Sequence, residues 1–233
     1  MHFFHAPGIW AEFPSLVPGV LLVEHISAEI DVTAQLGPLW EQARTRLSGG
    51  GESELPEVQA WRRAFGQMGL KPTQYRSAAE ALLRRFRKEG ALPALHPLVD
   101  LCNAVSLAFA LPVAVIDLDA VDSFLEVRHA TGEENYQSWS SEIEHPEPNE
   151  VIFADAAQNV HARRWTFRQS RESTVSPTTT RALVVSEGLH PTAGIDIPAL
   201  IDTLHSELHI AGFRVSQRAI LRADAPRWSE EDL

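Results

Sequence analysis

An α+β fold with a mainly antiparallel sheet and helices packed on it follows from three features of the chain. Apolar residues recur at helical spacing through the first 110 residues, short β-branched runs take over from residue 113, and turn-rich segments separate those runs. Strands that arrive in a block after a block of helices build an α+β sheet, whereas strict strand–helix alternation builds a parallel one. With 233 residues and no internal repeat, the chain is expected to form one domain over 1–233.

The elements follow in order. Residues 17–26 (VPGVLLVEHI) form a β-branched and leucine-rich run after a Pro-Gly turn signal and predict a strand, with a helix following to about Leu47. The glycine-rich, charged stretch Ser48–Glu54 (SGGGESE) predicts a flexible surface loop. Leu55, Val58, Trp61, Phe65 and Met68 recur at three- and four-residue steps and mark one apolar helical face that ends near Gly69. Ser77 with Glu80 three residues on is a capping box, and Gly90 supplies the stop of a helix that turns Leu82, Leu83 and Phe86 inward. Its last turns carry Arg84, Arg85, Arg87 and Lys88, where cations suit the negative end of the helix dipole. A third helix starts at Pro97 and runs to about Ala110. Strands are expected at 113–117, 124–129, 151–155, 160–168 and 181–187, then a helix from Pro198 to Ala211 capped by Asp196, and a closing strand from Phe213 to Leu221.

The formal net charge of -11 opposes general attraction to polyanions. Any nucleic-acid contact must be local, and two clusters offer it: Arg84, Arg85, Arg87 and Lys88, and the group Arg163, Arg164, Arg168 and Arg171. Either cluster also reads as a solvated face. Cys102 is the only cysteine and sits in an apolar helical pattern, which predicts a buried thiol and no internal disulfide. No basic leader is present and no apolar run approaches the ~20 residues of a membrane span, so a cytoplasmic protein without membrane contact is expected. His205 and His209 share a helix face, yet no third ligand is signalled nearby, so neither a metal nor a cofactor is expected. Gly-rich phosphate loops, dinucleotide fingerprints and Gly-x-Ser-x-Gly elbows are missing from the sequence.

Two segments carry chemistry. In LHPLVDLCN, from Leu95 to Asn103, the polar His96, Asp100 and Asn103 fall at three- and four-residue spacing, as either a pocket-lining stripe or a helix start with Asp100 tying nearby backbone. In the strand at 160–168, period two puts Trp165 and Phe167 on one face and Arg164, Thr166 and Arg168 on the other, facing solvent or a cleft. The hydroxyl-rich run from Ser170 to Thr180 reads as an exposed loop or a binding loop.

The series HPLVDLCNAVSLAFALPVAVIDLDAV, EVRHATGEE, PNEVIFAD and ARRWTFRQSRESTVSPTTT, in that order, resembles the B3/B4 editing region of the phenylalanyl-tRNA synthetase beta subunit and its free-standing relatives. RSAAEALLRRF, upstream, is similar to the free-standing branch, and the resemblance spans about Trp61 to Glu187. It implies hydrolysis of the ester that joins a wrong amino acid to transfer RNA, without ligase activity and with misacylated tRNA as partner. By position, the family's pocket asparagine corresponds to Asn103 and the threonine before it to Cys102. A family histidine is replaced by Ala114, a glycine-rich segment by Arg168-Gln169-Ser170, and the glutamate that reads a tyrosine hydroxyl falls at or near Ser170, or on Glu172 after a small shift. Loss of that glutamate removes the basis for choosing tyrosine.

On this reading Asn103, Ser170 and Thr174 align the aminoacyl group and a water, while Cys102, Ala114, Arg164 and Arg168 surround the substrate. Arg84, Arg85, Arg87 and Lys88 are the expected RNA contacts. An aminoacyl ester is already activated, so alignment and oxyanion stabilisation suffice without a histidine or glutamate base. The alternative is a module of the same fold that binds transfer RNA or an amino acid without turnover. Either reading requires the helix and the arginine-bearing strand to meet around one cavity.

Overall fold

The computed structural model describes residues 1–140 and 142–231. Strand β1 (His2–His5) and helix α1 (Pro7–Glu12) precede β2 (Val17–Glu24), and four helices follow: α2 (Thr33–Leu47), α3 (Pro56–Gln67), α4 (Ala78–Glu89) and α5 (Pro97–Phe109). The strand-rich half runs β3 (Val113–Asp117), β4 (Phe124–His129), β5 (Tyr136–Gln137), β6 (Ile143–Glu144), β7 (Val151–Asp155), β8 (Val160–Arg163), β9 (Arg168–Gln169) and β10 (Arg181–Gly188). Helix α6 (Ala193–Ala211), β11 (Arg214–Ile220) and β12 (Arg227–Ser229) close it. The order is that of an α+β fold.

Two sheets stack with helices outside them. The larger has strand order β12-β1-β4-β7-β8-β9 and the smaller β11-β2-β10-β3, with every pairing antiparallel except β1 on β4. Val20, Leu22, Leu183, Val185 and Ile116 of the smaller sheet enter a core shared with Phe3, Leu125, Val127 and Phe153 of the larger. Their neighbours Leu21, Val23, Ala182, Val184 and Val115 face the other way, into a core with α2, α5 and α6. Burial on both faces explains why VLLV and LVV read as continuous apolar runs without alternation. A Cβ at Gly19 would stand 2.5 Å from Ile201 Cγ1, so glycine there lets α6 lie close on β2.

Local signals set several boundaries. Ser77 Oγ accepts from the Glu80 N–H at 3.3 Å, and Gly90 ends α4 with a left-handed φ of 76°. At the start of α5, His96 Nδ1 accepts from the Leu98 N–H and Asp100 from the Leu95 N–H. The polar stripe therefore does begin as a helix cap.

Three expectations are corrected. The strand at 160–168 breaks after Arg163, because Arg164 and Trp165 adopt left-handed φ values of 47° and 59° and turn the chain back into β9. That turn is held by the Glu150 carboxylate on the Arg164 N–H and by the Val151 carbonyl on the Trp165 N–H. The Ser48–Glu54 loop contains a buried Glu52 that Arg87 Nη2 reaches at 3.0 Å, so it is tied down to α4. Helix α6 starts at Ala193, so Asp196 lies within its first turns, where it accepts from Thr192 and His190. Strands β1 and β12 and helix α1 carry no signal that the sequence reading caught.

Candidate functional site

A cavity of about 70 Å³ opens where β3 and β10 of the smaller sheet face β7, β8 and β9 of the larger. Phe153, Ala162, Trp165 and Val185 line it as buried apolar side chains, and Ala114, Thr166, Phe167, Arg168 and Gln169 line it as partly exposed ones. The left-handed turn at Arg164 and Trp165 creates this arrangement. It drives the Trp165 indole fully into the core, edge-on to Trp61 at 5.0 Å and Phe13 at 4.8 Å, while Thr166 to Gln169 return along the cavity wall.

The polar groups of the wall are few. Glu187 is buried, with Oε1 2.5 Å from His5 Nε2 and Oε2 accepting from Trp165 Nε1 at 3.0 Å. Gln169 Nε2 donates to the Val115 carbonyl at 2.8 Å and the Ser173 carbonyl at 3.2 Å, which ties β9 and the hydroxyl-rich loop to β3. Thr166 Oγ1 is buried without a partner. Arg168 lies over the Tyr136 ring at 5.5 Å and 3.4 Å from Glu144, its side chain 37% exposed. Burial raises the Tyr136 phenol above its ordinary value.

Of the residues singled out in the sequence, Ala114 and Arg168 meet in this cavity. Asn103 does not. It lines a separate cavity of about 90 Å³ with Asp100, Trp40 and Leu36, because α5 presents that face toward α2. The expected meeting of helix and strand around one cavity is thus replaced by two cavities on different layers. Cys102 is buried in the helix-facing core, away from the inter-sheet cavity, and burial raises its thiol above the ordinary range.

The strand's other candidates are also placed differently. Arg164 leaves the sheet at the turn and lies 4.7 Å over the Tyr75 ring. Ser170 is fully buried, donating to the Gln137 carbonyl at 3.1 Å, and Thr174 Oγ1 donates to the Ser170 carbonyl at 2.9 Å. Both hydroxyls hold the loop's shape. On α4, Arg85 pairs with Glu89 at 2.9 Å and Arg87 with Glu52, so two of the four cations are committed, while Arg84 and Lys88 are exposed. His209 is exposed and His205 half-buried. Thr166 does face a cleft, one of the two environments its strand position offered, whereas sequence reasoning missed Glu187 and Trp165 as cavity groups, since only the fold brings β10 opposite the 164–167 turn.

The B3/4 domain profile matches residues 60–199, a span that includes the whole cavity-forming half of the larger sheet and the β3–β10 pair. The chain belongs to the B3/4 domain family. This B3/4 chain is also similar to the crystal structure of an N-terminal fragment of the phenylalanyl-tRNA synthetase beta-subunit from Pyrococcus horikoshii, with a TM-score of 0.50 and 9% identity. The alignment covers 94% of this chain and 53% of that one, so the chain spans about half the length of the fragment. At that identity the likeness describes the fold. No curated protein matches the sequence. Among the described residues, no helix is long and apolar enough to cross a membrane.

Proposed function

We propose that this B3/4 chain is a free-standing cytoplasmic deacylase that hydrolyses the ester of misacylated tRNA in the cavity between its two sheets. One observation carries the reading: Ala114 and Arg168, 54 residues apart in sequence, line a single cavity. Both occupy positions to which the family resemblance assigns the substrate. Arg168 offers a partly exposed guanidinium suited to a phosphate or to the terminal adenosine. The walls are mostly apolar, and with Ser170 turned away into the Gln137 contact the unpartnered Thr166 Oγ1 is the hydroxyl left to meet the substrate.

Among the cavity-lining side chains Glu187 is the only carboxylate, and both its oxygens are engaged by His5 and Trp165. The chemistry therefore rests on alignment of an already activated ester, with a water attacking the acyl carbon, the ribose oxygen leaving, and a neighbouring ribose hydroxyl of the substrate assisting in place of a protein base. The same commitment of polar groups favours a second reading, a module that binds the aminoacyl end without turnover. Release of labelled amino acid from a panel of mischarged tRNAs separates the two. Deacylation of at least one member above the spontaneous rate supports the enzyme; spontaneous rates across the panel, with binding retained, support the module.

A further inference from the structure

Away from the inter-sheet cavity, three elements bring Glu57, His190 and Asp196 together: the first turn of α3, the turn after β10, and the first turns of α6. One ligand-capable atom of each lies within 4.8 Å of the other two. His190 is 2% exposed and Glu57 6%, and such side chains ordinarily have every polar atom satisfied. Here Glu57 Oε2 and His190 Nδ1 are both buried without a partner. His190 Nε2 is 2.8 Å from Asp196 Oδ2, so in the neutral ring Nε2 carries the proton and Nδ1 is left as a bare lone pair. The cluster thus holds more Lewis-basic atoms than it has donors.

The surrounding charges do not remove that excess. Arg46 Nη1 donates to Glu57 Oε1 at 2.8 Å, leaving Oε2 unserved. The N-terminal ends of α3 and α6 contribute partial positive charge to the two carboxylates but no hydrogen bond to Oε2.

We propose that Glu57, His190 and Asp196 form a binding site for a first-row divalent cation, with Zn²⁺ the ion best matched to one imidazole and two carboxylates. Three protein ligands leave a fourth position for water, and the Asp196 side chain, 28% exposed, marks the entry path. The cation is held by one imidazole nitrogen of His190, the ring's single proton staying on the other, and it supplies the partner that Glu57 Oε2 lacks. Tetrahedral zinc holds its ligands about 3.4 Å apart, a spacing that atoms already within 4.8 Å of one another reach by small side-chain adjustments.

The test uses the full chain stripped with a chelator, then dialysed against Zn²⁺ and measured for bound metal and for melting temperature. Wild type is expected to take up about one equivalent and to melt higher with zinc. Glu57→Gln and Asp196→Asn are expected to bind more than about tenfold more weakly, since even outer-sphere losses cost that much. A control carrying His205→Asn and His209→Asn binds like wild type. Uptake well below one equivalent by wild type, or undiminished affinity in both variants, overturns the site. If Glu57→Gln does not fold, Asp196→Asn decides alone.

Discussion

His5 Nε2 lies 2.5 Å from Glu187 Oε1, and the two side chains are 2% exposed each. His5 belongs to β1 in the larger sheet and Glu187 to β10 in the smaller, so this contact joins the two layers at the edge of the cavity. Trp165 Nε1 occupies the second carboxylate oxygen. Breaking a buried pair by removing one partner leaves the other polar group stranded, which costs about 3–5 kcal/mol. His5→Ala and Glu187→Leu are each expected to lower stability by about that amount in denaturant titrations. The double variant should cost less than the two singles summed, because the stranded partner is gone.

Placement of Asn103 in its own cavity separates two variants that the sequence alone would group. Asn103→Ala should leave deacylation of mischarged tRNA unchanged. Arg168→Ala should reduce it by roughly ten- to a hundredfold, the worth of a charge-assisted hydrogen bond of about 1.5–3 kcal/mol. Single-turnover rates on one responsive tRNA distinguish the pair; an equal loss in both would return Asn103 to the site.

Much of the fold was legible, and the reason is local. Ser77, Gly90 and Pro97 act on their own backbone, so α4 begins and ends, and α5 begins, where those residues put them. The candidate site was less legible because its geometry depends on two residues with left-handed φ, Arg164 and Trp165, neither of them glycine. Period-two reasoning assumes continuous extended backbone, and Glu150 and Val151, at the entry to β7, break that assumption. Asn103 matched a family position by sequence, yet which layer a helix face meets is set by the sheet beneath it. Strand β1 was invisible for a similar reason: four residues at the chain start gain strand structure only from β4 and β12 on either side.

Acid should unfold the protein in a defined window. Burial works to raise the Asp155 carboxyl, but hydrogen bonds from His161, from the Asp122 N–H and from Asn159 lower it from 3.8 to about 2. Glu134 is likewise lowered, from 4.5 to about 2, its burial outweighed by the Thr131 N–H, Arg128 and the Gly132 N–H. A folded value below the unfolded one gives stability that is complete above the unfolded value and disappears as pH falls through the folded one. Melting temperature should therefore drop between about pH 5 and pH 2 through these groups. Asp155→Asn should flatten that drop, and an unchanged slope would exclude Asp155 as a contributor.

The Cys102 thiol, raised by burial and packed in the helix-facing core, should resist a thiol-specific reagent in the native protein. Labelling is expected to track global unfolding in urea. Fast labelling in native buffer would show that α5 opens locally.

If the inter-sheet cavity receives the aminoacyl end of tRNA, as proposed, filling it is the most direct test. Ala114→Trp places an indole in that space, and circular dichroism checks that the fold survives. Release of labelled amino acid from a mischarged tRNA that wild type deacylates should fall to the spontaneous rate in the folded variant. Undiminished release with the cavity filled would contradict the account.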